Sequence, residues 1–363
     1  MIAVIAGVAD AWHIATDGIE VYYAAGVRSM AGSWHDFWYG AFDPHGVISL
    51  DKLPGPFWVQ ALSVRAFGLS VWAMVLPQVI WSVLTVVVLF VAVRRVAGQA
   101  AGLAAAAILA ISPVTIMSAH GNLGDPLFVL LSVLSADAVL RAIRGDGWRP
   151  LVLAGVWIGL AFQVKMAEAW LVAVPLVATY LLAGPIGLRR RLVRLTAAGS
   201  VLAAVSLAWL VFVMLTPAHD RPYADGSAHN SVLEQVFLYN GIDRFGTHPA
   251  YGLGYPATPS AAAIAYARRS APAFYPPVYQ SRPGWDRLLT APAAPITGWL
   301  LLPAAMVAVA GIIAVIRARG QAARRQHAPV MLWGLWLLTF TVIFSASRLV
   351  QSYYLGILSP AIA

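Results

Sequence analysis

The chain has 363 residues, 60% of them hydrophobic and 11% charged, with a formal net charge of +9, no cysteine and a mean hydropathy of +0.74. These values exclude a soluble globular enzyme and describe a protein that threads a membrane several times. With no cysteine there is no disulfide framework and no thiolate metal site. The positive charge lies between apolar runs, so it reads as topology information rather than as a nucleic-acid face.

With about 20 apolar residues per span, the candidate spans are 1–15, 71–93, 100–118, 125–143, 150–164, 168–184, 195–216, 296–316, 329–347 and a start at 349–363. This predicts an all-α bundle of nine to ten transmembrane helices forming a single domain over 1–363. The first run is short, contains Asp10, and has neither a basic leader nor a small-residue cleavage site, so it does not read as a signal peptide. The last run stops in mid-pattern at "YYLGILSPAIA", and truncation of a longer protein is expected at both ends. Arginines at 94–95, 141–149, 189–194 and 317–325 all fall on one side of this span pattern. Positive loops stay cytoplasmic, so 16–54, 119–124, 165–167 and the large loop 217–294 are predicted to be extracytoplasmic.

The unusual polar residues collect on that outer side. The first loop reads "TDGIEVYYAAGVRSMAGSWHDFWYGAFDPHGVISLDKLPGP", with helical spacing over 20–30 followed by Trp34, Phe37, Trp38, Tyr39 and Phe42. Such aromatic density suits helices lying in the headgroup zone. Taken singly, Asp17, Glu20, Asp36, Asp43 and Asp51 are equally well read as solvated charges. In "SAHGNLGDPLFVLL", which also carries Asn122, Asp125 before Pro126 is a predicted N-cap.

Lysine is the rare cation. Of 24 Lys plus Arg only Lys52 and Lys165 are lysine. Lys165, in "LAFQVKMAEAWLV", reads plainly as a snorkelling side chain at a helix end, a role arginine would fill equally well. Lysine differs in being a compact point charge with rotatable donors, which suits a phosphate whose bonding changes. Within 217–294, the segment "RPYADGSAHNSVLEQVFLYNGIDRFG" mixes Arg221, Asn230, Tyr239, Asn240 and Arg244 with aromatics, a composition suited to sugar or headgroup contacts. Residues 246–284 have no steady period, and His219, His229 and His248 are too widely spaced for a local metal motif.

"YYAAGVRSMAGSWHDFWYGAFDPHGVISLDKLPGPFWVQ", "RPYADGSAHNSVLEQVFLYNGIDRFG" and the closing "YYLGILSPAIA" resemble, in order, the bacterial branch of the protein O-mannosyltransferase and aminoarabinose-transferase superfamily of GT-C glycosyltransferases. The resemblance covers nearly the whole chain. It implies a multi-pass enzyme of the bacterial plasma membrane that moves a mannose- or arabinose-type sugar from a polyprenyl-phosphate donor. The acceptor would be a lipid, glycan or protein hydroxyl on the outer face, with inversion. It implies catalytic carboxylates at Glu20 and Asp125, with Asp17 as a substitute because Ile19 stands where the family has an aspartate. It implies donor-phosphate contacts from Lys52, Lys165 and Arg221, and substrate contacts from Tyr22, Tyr23, Asp51, Asn122, Asn230, Tyr239 and Asn240. At the closing motif Gln351-Ser352 replace the usual His-Pro.

No organic cofactor is implied, a divalent cation is left open, and the partners are membrane lipid and sugar substrates rather than nucleic acid. Glu20, Lys52 and Asp125 are expected to line one cavity, with Lys165 at its edge. Two rival readings remain. A polyprenyl-lipid transporter would put ionisable groups mid-span, where only Asp137, with Arg141 as its i,i+4 partner, stands out. A catalytically degenerate homologue would bind lipid without turnover.

Overall fold

Uninterrupted apolar runs that end in arginine and glycine become the longest helices. The computed structural model describes residues 1–16, 18–145, 147–245, 283–290, 293–298, 300–318 and 320–363. In chain order it forms α1 (Ile2–Ala11), α2 (Val21–Gly32), α3 (Trp34–Tyr39), α4 (Gly55–Phe67) and α5 (Val71–Ala97). Then come α6 (Gln99–Ala110), α7 (Pro113–Ala119), α8 (Asp125–Arg144), α9 (Arg149–Lys165), α10 (Ala167–Ala183) and α11 (Leu188–Leu215). Beyond the large loop lie α12 (Leu301–Arg317), α13 (Gln321–Ala346) and α14 (Ser359–Ile362). α5 and α8 stop at Gly98 and Gly145, whose φ of +90° and +113° only glycine adopts cheaply.

Four helices, α5, α8, α11 and α13, are each long and apolar enough to cross a membrane, and the α6–α7 pair, bent by 58°, makes a fifth among the described residues. The bend falls where Pro113 begins α7, since proline cannot continue the preceding hydrogen-bond ladder. The expected nine to ten spans therefore become four or five by length and composition. α9, α10 and α12, at 17 residues each, fall short of that length. The residues at 349–363, expected to start a span, form a 3₁₀ turn over Ser352–Leu358 followed by α14. Trp336 of α13 is fully buried against it and donates its indole N–H to the Ile357 carbonyl at 2.8 Å.

α9 packs against both α8 and α11. α9 approaches α11 closely because Gly155 and Gly159 lack side chains. A Cβ on Gly155 would lie 2.4 Å from the Ala198 carbonyl oxygen, and one on Gly159 would lie 2.6 Å from Val205 Cβ. Small residues four apart on one face allow this close crossing. α5 packs on α8, and there Asp137 of α8 forms an ion pair with Arg95 of α5. The mid-span acid thus has a cross-helix partner besides any on its own helix.

The first loop is helical, as its spacing predicts. α2 and α3 lie against α4, where the Arg65 guanidinium stacks 3.7 Å from the Trp34 ring and the Trp58 indole donates to the Phe37 carbonyl at 2.6 Å. Trp209 of α11 donates to the Trp38 carbonyl at 2.9 Å, tying this loop to that helix. Two backbone bonds join it to the second large loop. Ser49 N–H donates to the Tyr223 carbonyl and Tyr223 N–H to the Val47 carbonyl, each at 2.9 Å.

Candidate functional site

Four chain segments far apart in sequence bring charge together at the site. Pro54 and Gly55 start α4 and fix the exit of the loop carrying Asp51 and Lys52. Lys52 Nζ lies 2.9 Å from Asp51 Oδ2 and also donates to Asn240 Oδ1. Asn240 is held in turn, because its amide donates to the Asp51 carbonyl at 2.7 Å and to the Gln235 carbonyl at 2.9 Å. Its Oδ1 also accepts from the Arg244 guanidinium at 2.9 Å. Lys52 and Arg244 lie 5.8 and 5.5 Å from the centre of the Tyr239 ring, so one phenol faces both cations. Burial pushes the Lys52 ammonium down to about 8, an effect the neighbouring Asp51 carboxylate partly opposes.

The second cluster joins the end of α9 to the start of α8. Lys165 Nζ lies 2.8 Å from Asp125 Oδ1, and its ammonium sits 4.0 Å from the centre of the Tyr354 ring and 5.3 Å from that of Tyr353. Two expectations are corrected here. Asp125 is not the N-cap of α8: Gly124 holds that position and no side chain caps the helix. A buried carboxylate gains more from a charge-assisted contact with an ammonium than from a neutral N–H. Nor does Lys165 snorkel, since only 9% of its surface is exposed.

The clusters meet in two cavities. The larger, of about 370 Å³, is lined by Lys52, Lys165, Glu168, Asn240, Arg244 and Tyr354, with walls of Leu171, Phe237, Ile343, Phe344 and Leu349. The smaller, of about 20 Å³, lies between Tyr23, Lys52, Asp125, Lys165, Tyr353 and Tyr354. Lys52 and Asp125 thus share a cavity as expected. Glu20 is not among the residues lining either cavity. It caps α2, accepting the Tyr22 N–H at 3.2 Å, and its charge still acts on Tyr23 and Tyr353. Asn122 fixes Glu20 rather than a substrate group: its Oδ1 accepts the Glu20 N–H at 2.7 Å and its amide donates to the Glu20 carbonyl at 3.2 Å.

Tyr22 also braces the site. Its hydroxyl donates to Asp225 Oδ2 and accepts the Asp51 N–H, both at 2.8 Å, while its ring stacks on Phe42. Burial, then the nearby Asp51 and Asp225 charges, push its phenol well above the usual range, so it stays neutral. Arg221 and Asn230 line neither cavity. The Arg221 guanidinium donates to Asn230 Oδ1 at 2.8 Å and to the Asn230 carbonyl at 3.0 Å, so the loop spends both residues on its own turn. Asp17 and His248 lie outside the described residues.

Glu168 and Arg244 complete the larger cavity; sequence reasoning gave Arg244 only the general contact role of its loop and Glu168 none. The signal was present for both, since Glu168 stands one turn after the rare lysine and Arg244 one turn after Asn240. Among the described residues, no group of three His, Asp or Glu could hold a metal ion. Asp51 Oδ1 is a buried oxygen without a partner, but it stands alone.

This fold, with its lysines and carboxylates gathered at one site in a helical bundle, belongs to the GT-C glycosyltransferase superfamily. Residues 51–211 match the family described as dolichyl-phosphate-mannose-protein mannosyltransferase. The chain is 35% identical over 241 residues to the mannosyltransferase-like protein YkcB of Bacillus subtilis (strain 168), a match covering 66% of this chain and 34% of that protein. It is 34% identical over 245 residues to the mannosyltransferase-like YycA of the same organism, covering 67% of this chain and 36% of that one. The chain therefore spans about a third of the length of these curated relatives.

Among solved structures, ArnT of Cupriavidus metallidurans bound to undecaprenyl phosphate matches with a TM-score of 0.69 at 17% identity, covering 99% of this chain and 57% of that one. The Archaeoglobus fulgidus oligosaccharyltransferase tethered to an acceptor peptide matches with a TM-score of 0.60 at 17% identity, covering 99% and 48%.

Proposed function

We propose that this chain carries the donor site of a membrane glycosyltransferase that takes a mannose- or arabinose-type sugar from a polyprenyl phosphate. The sugar passes to an acceptor hydroxyl on the extracytoplasmic face. The observation that carries this reading is the larger cavity, which Lys52, Lys165 and Arg244 line together with Leu171, Phe237, Ile343 and Phe344. Cations and apolar walls in one cavity suit a lipid that ends in phosphate. The undecaprenyl phosphate bound in the ArnT structure supports the same donor class.

The chemistry follows from the charges. The bond between the anomeric carbon and the phosphate oxygen breaks, and its electron pair stays with the phosphate. Lys52 and Arg244 stabilise that charge in a site with little water. The acceptor oxygen bonds to the anomeric carbon from the opposite face, inverting it, and gives its proton to a carboxylate. Asp125 is committed to Lys165 at 2.8 Å and acts as a positioning residue, so the proton goes to a carboxylate of the first loop, Glu20 or Asp17.

The test is transfer by the protein reconstituted in liposomes with a panel of radiolabelled polyprenyl-phosphate sugars. Labelled sugar leaving the lipid, and none leaving with Lys52→Ala, is the expected result. Movement of intact labelled lipid across the bilayer, without bond cleavage, would replace this reading with transport.

A further inference from the structure

The polar groups of the larger cavity carry a charge balance that a phosphate would upset. Lys52, Lys165 and Arg244 line it with one carboxylate, Glu168, while Asp125, in the smaller cavity that shares both lysines, pairs with Lys165 and Asp51 pairs with Lys52. Three cations against three carboxylates is already neutral, and Glu20, beyond Tyr23, adds a further negative charge. An anionic phosphate added to this set leaves excess negative charge in a site walled by apolar side chains. Uncompensated charge there is costly, and the ordinary relief is for a carboxylate to take up a proton.

The geometry selects which carboxylate. Asp51 and Asp125 each keep an ammonium within 2.9 and 2.8 Å. Glu168 does not: its Oε1 is shielded from solvent and has no hydrogen-bond partner. The other groups whose charge reaches it are Lys165, one turn earlier, Asp125 on α8, Arg244 and Lys52 from the two loops, and the Tyr354 phenol beside it. Glu168 lies in the first turn of α10, where the helix dipole favours its ionised form while no ligand is present. A bound phosphate competes for that same positive end.

We propose that Glu168 is a donor-binding residue that takes up a proton when the lipid phosphate binds. It then meets a phosphate oxygen as a hydrogen-bond donor rather than as a repelling charge. A carboxylate can only accept a hydrogen bond, whereas a carboxylic acid can donate one, and a bond to an ionised oxygen is the stronger kind. This inference rests on the polyprenyl-phosphate reading above. It adds that donor affinity is coupled to protons through one named side chain.

The experiment is titration calorimetry of the purified protein with undecaprenyl phosphate at pH 7, in two buffers of different ionisation enthalpy. The difference in heat counts the protons taken up on binding. Wild type is expected to take up about one proton more than Glu168→Gln, which mimics the protonated acid in shape and charge. The variant should also bind tighter than wild type, by a margin that widens up to tenfold per pH unit as pH rises from 6 to 8, because only wild type must first take up the linked proton. Burial lowers the Lys52 ammonium as well, so Lys52 and the lipid phosphate also exchange protons on binding, and the difference between the two proteins is the quantity read. Equal proton uptake in both, or weaker binding by Glu168→Gln at every pH, would overturn the inference and leave Glu168 as a counter-ion of Lys165. Should Glu168→Gln fail to fold, Glu168→Ala takes its place in the same comparison, and equal proton uptake by wild type and Glu168→Ala would overturn it equally. No binding of undecaprenyl phosphate by wild type at any pH from 6 to 8 would instead remove the donor reading itself.

Discussion

Lys165, the last residue of α9, lies 2.8 Å from Asp125, the first residue of α8, and their side chains are only 9% and 5% exposed. The pair ties the two helices together at the site. Removing one partner strands the other as an uncompensated buried charge, at a cost of about 3–5 kcal/mol. Lys165→Met and Asp125→Leu should each lower the thermal midpoint of the purified protein sharply, and the double variant should recover much of the loss. Equal and additive losses would mean that the contact contributes no coupling. Lys165→Arg, harmless for a snorkelling side chain, should be damaging here because a planar guanidinium must fit beside the Tyr354 ring.

Lys52 is expected to act on turnover more than on donor binding, because its partner is the departing phosphate. Lys52→Ala should abolish transfer in a protein that still folds, and Lys52→Arg should retain a fraction of it. The folded-state ammonium is lowered to about 8, so it is charged below that pH and neutral above it. The specificity constant kcat/KM should therefore fall as pH rises through about 8. A flat profile from pH 7 to 9.5 would contradict an electrostatic role for this lysine.

Asn240 holds both loop cations through one carbonyl oxygen. Asn240→Ala leaves Lys52 and Arg244 without that acceptor, and a loss of about 1–3 kcal/mol in donor recognition is expected, read as a rise in donor KM. Asn240→Asp adds a carboxylate beside Lys52, which favours the charged ammonium and should move the alkaline limb to higher pH. A limb that stays in place, or moves down, would mean that the side chain at 240 does not face Lys52.

Topology is open to cysteine labelling, since the chain has no cysteine of its own. Ala228 is exposed in the large loop and Arg190 at the start of α11. A cysteine at 228 should react with a membrane-impermeant maleimide in intact cells, and one at 190 only after permeabilisation. The reverse pattern would invert the orientation and with it the extracytoplasmic site. The neighbouring Ser227 is a poor probe because it is buried and donates to the Ala224 carbonyl at 2.6 Å.

Much of this was legible in the chain itself. Helices lie where apolar runs lie because removing those runs from water is the strongest force on the chain. Joints are read less well: the single run 100–118 is broken at Pro113 into α6 and α7. At the site, Lys52, Lys165 and Asp125 could be singled out because each is chemically anomalous in its surroundings. Arg221 and Asn230 could not be separated from Asn240 and Arg244 by composition. All four sit in one irregular loop, and only its three-dimensional path decides which pair closes a turn and which pair reaches Lys52. Glu168 was overlooked because an acid three residues after a lysine is commonplace on a helix surface, and nothing local announces that this surface is the inside of a cavity.

The two backbone bonds between residues 47–49 and Tyr223 bear on how this site can drift over time. Main-chain atoms make that clasp, and the side chains of Val47 and Tyr223 are exposed, at 67% and 39%. Those two positions are thus free to change identity while the lysine-bearing turn stays fastened to the loop that carries Asn240 and Arg244. A proline at 49 or 223 is the substitution that would undo it, by removing the donating N–H. Divergence in these loops can therefore erase the lettering of the motif and keep its geometry, so that distant members of this fold would be matched better by shape than by spelling.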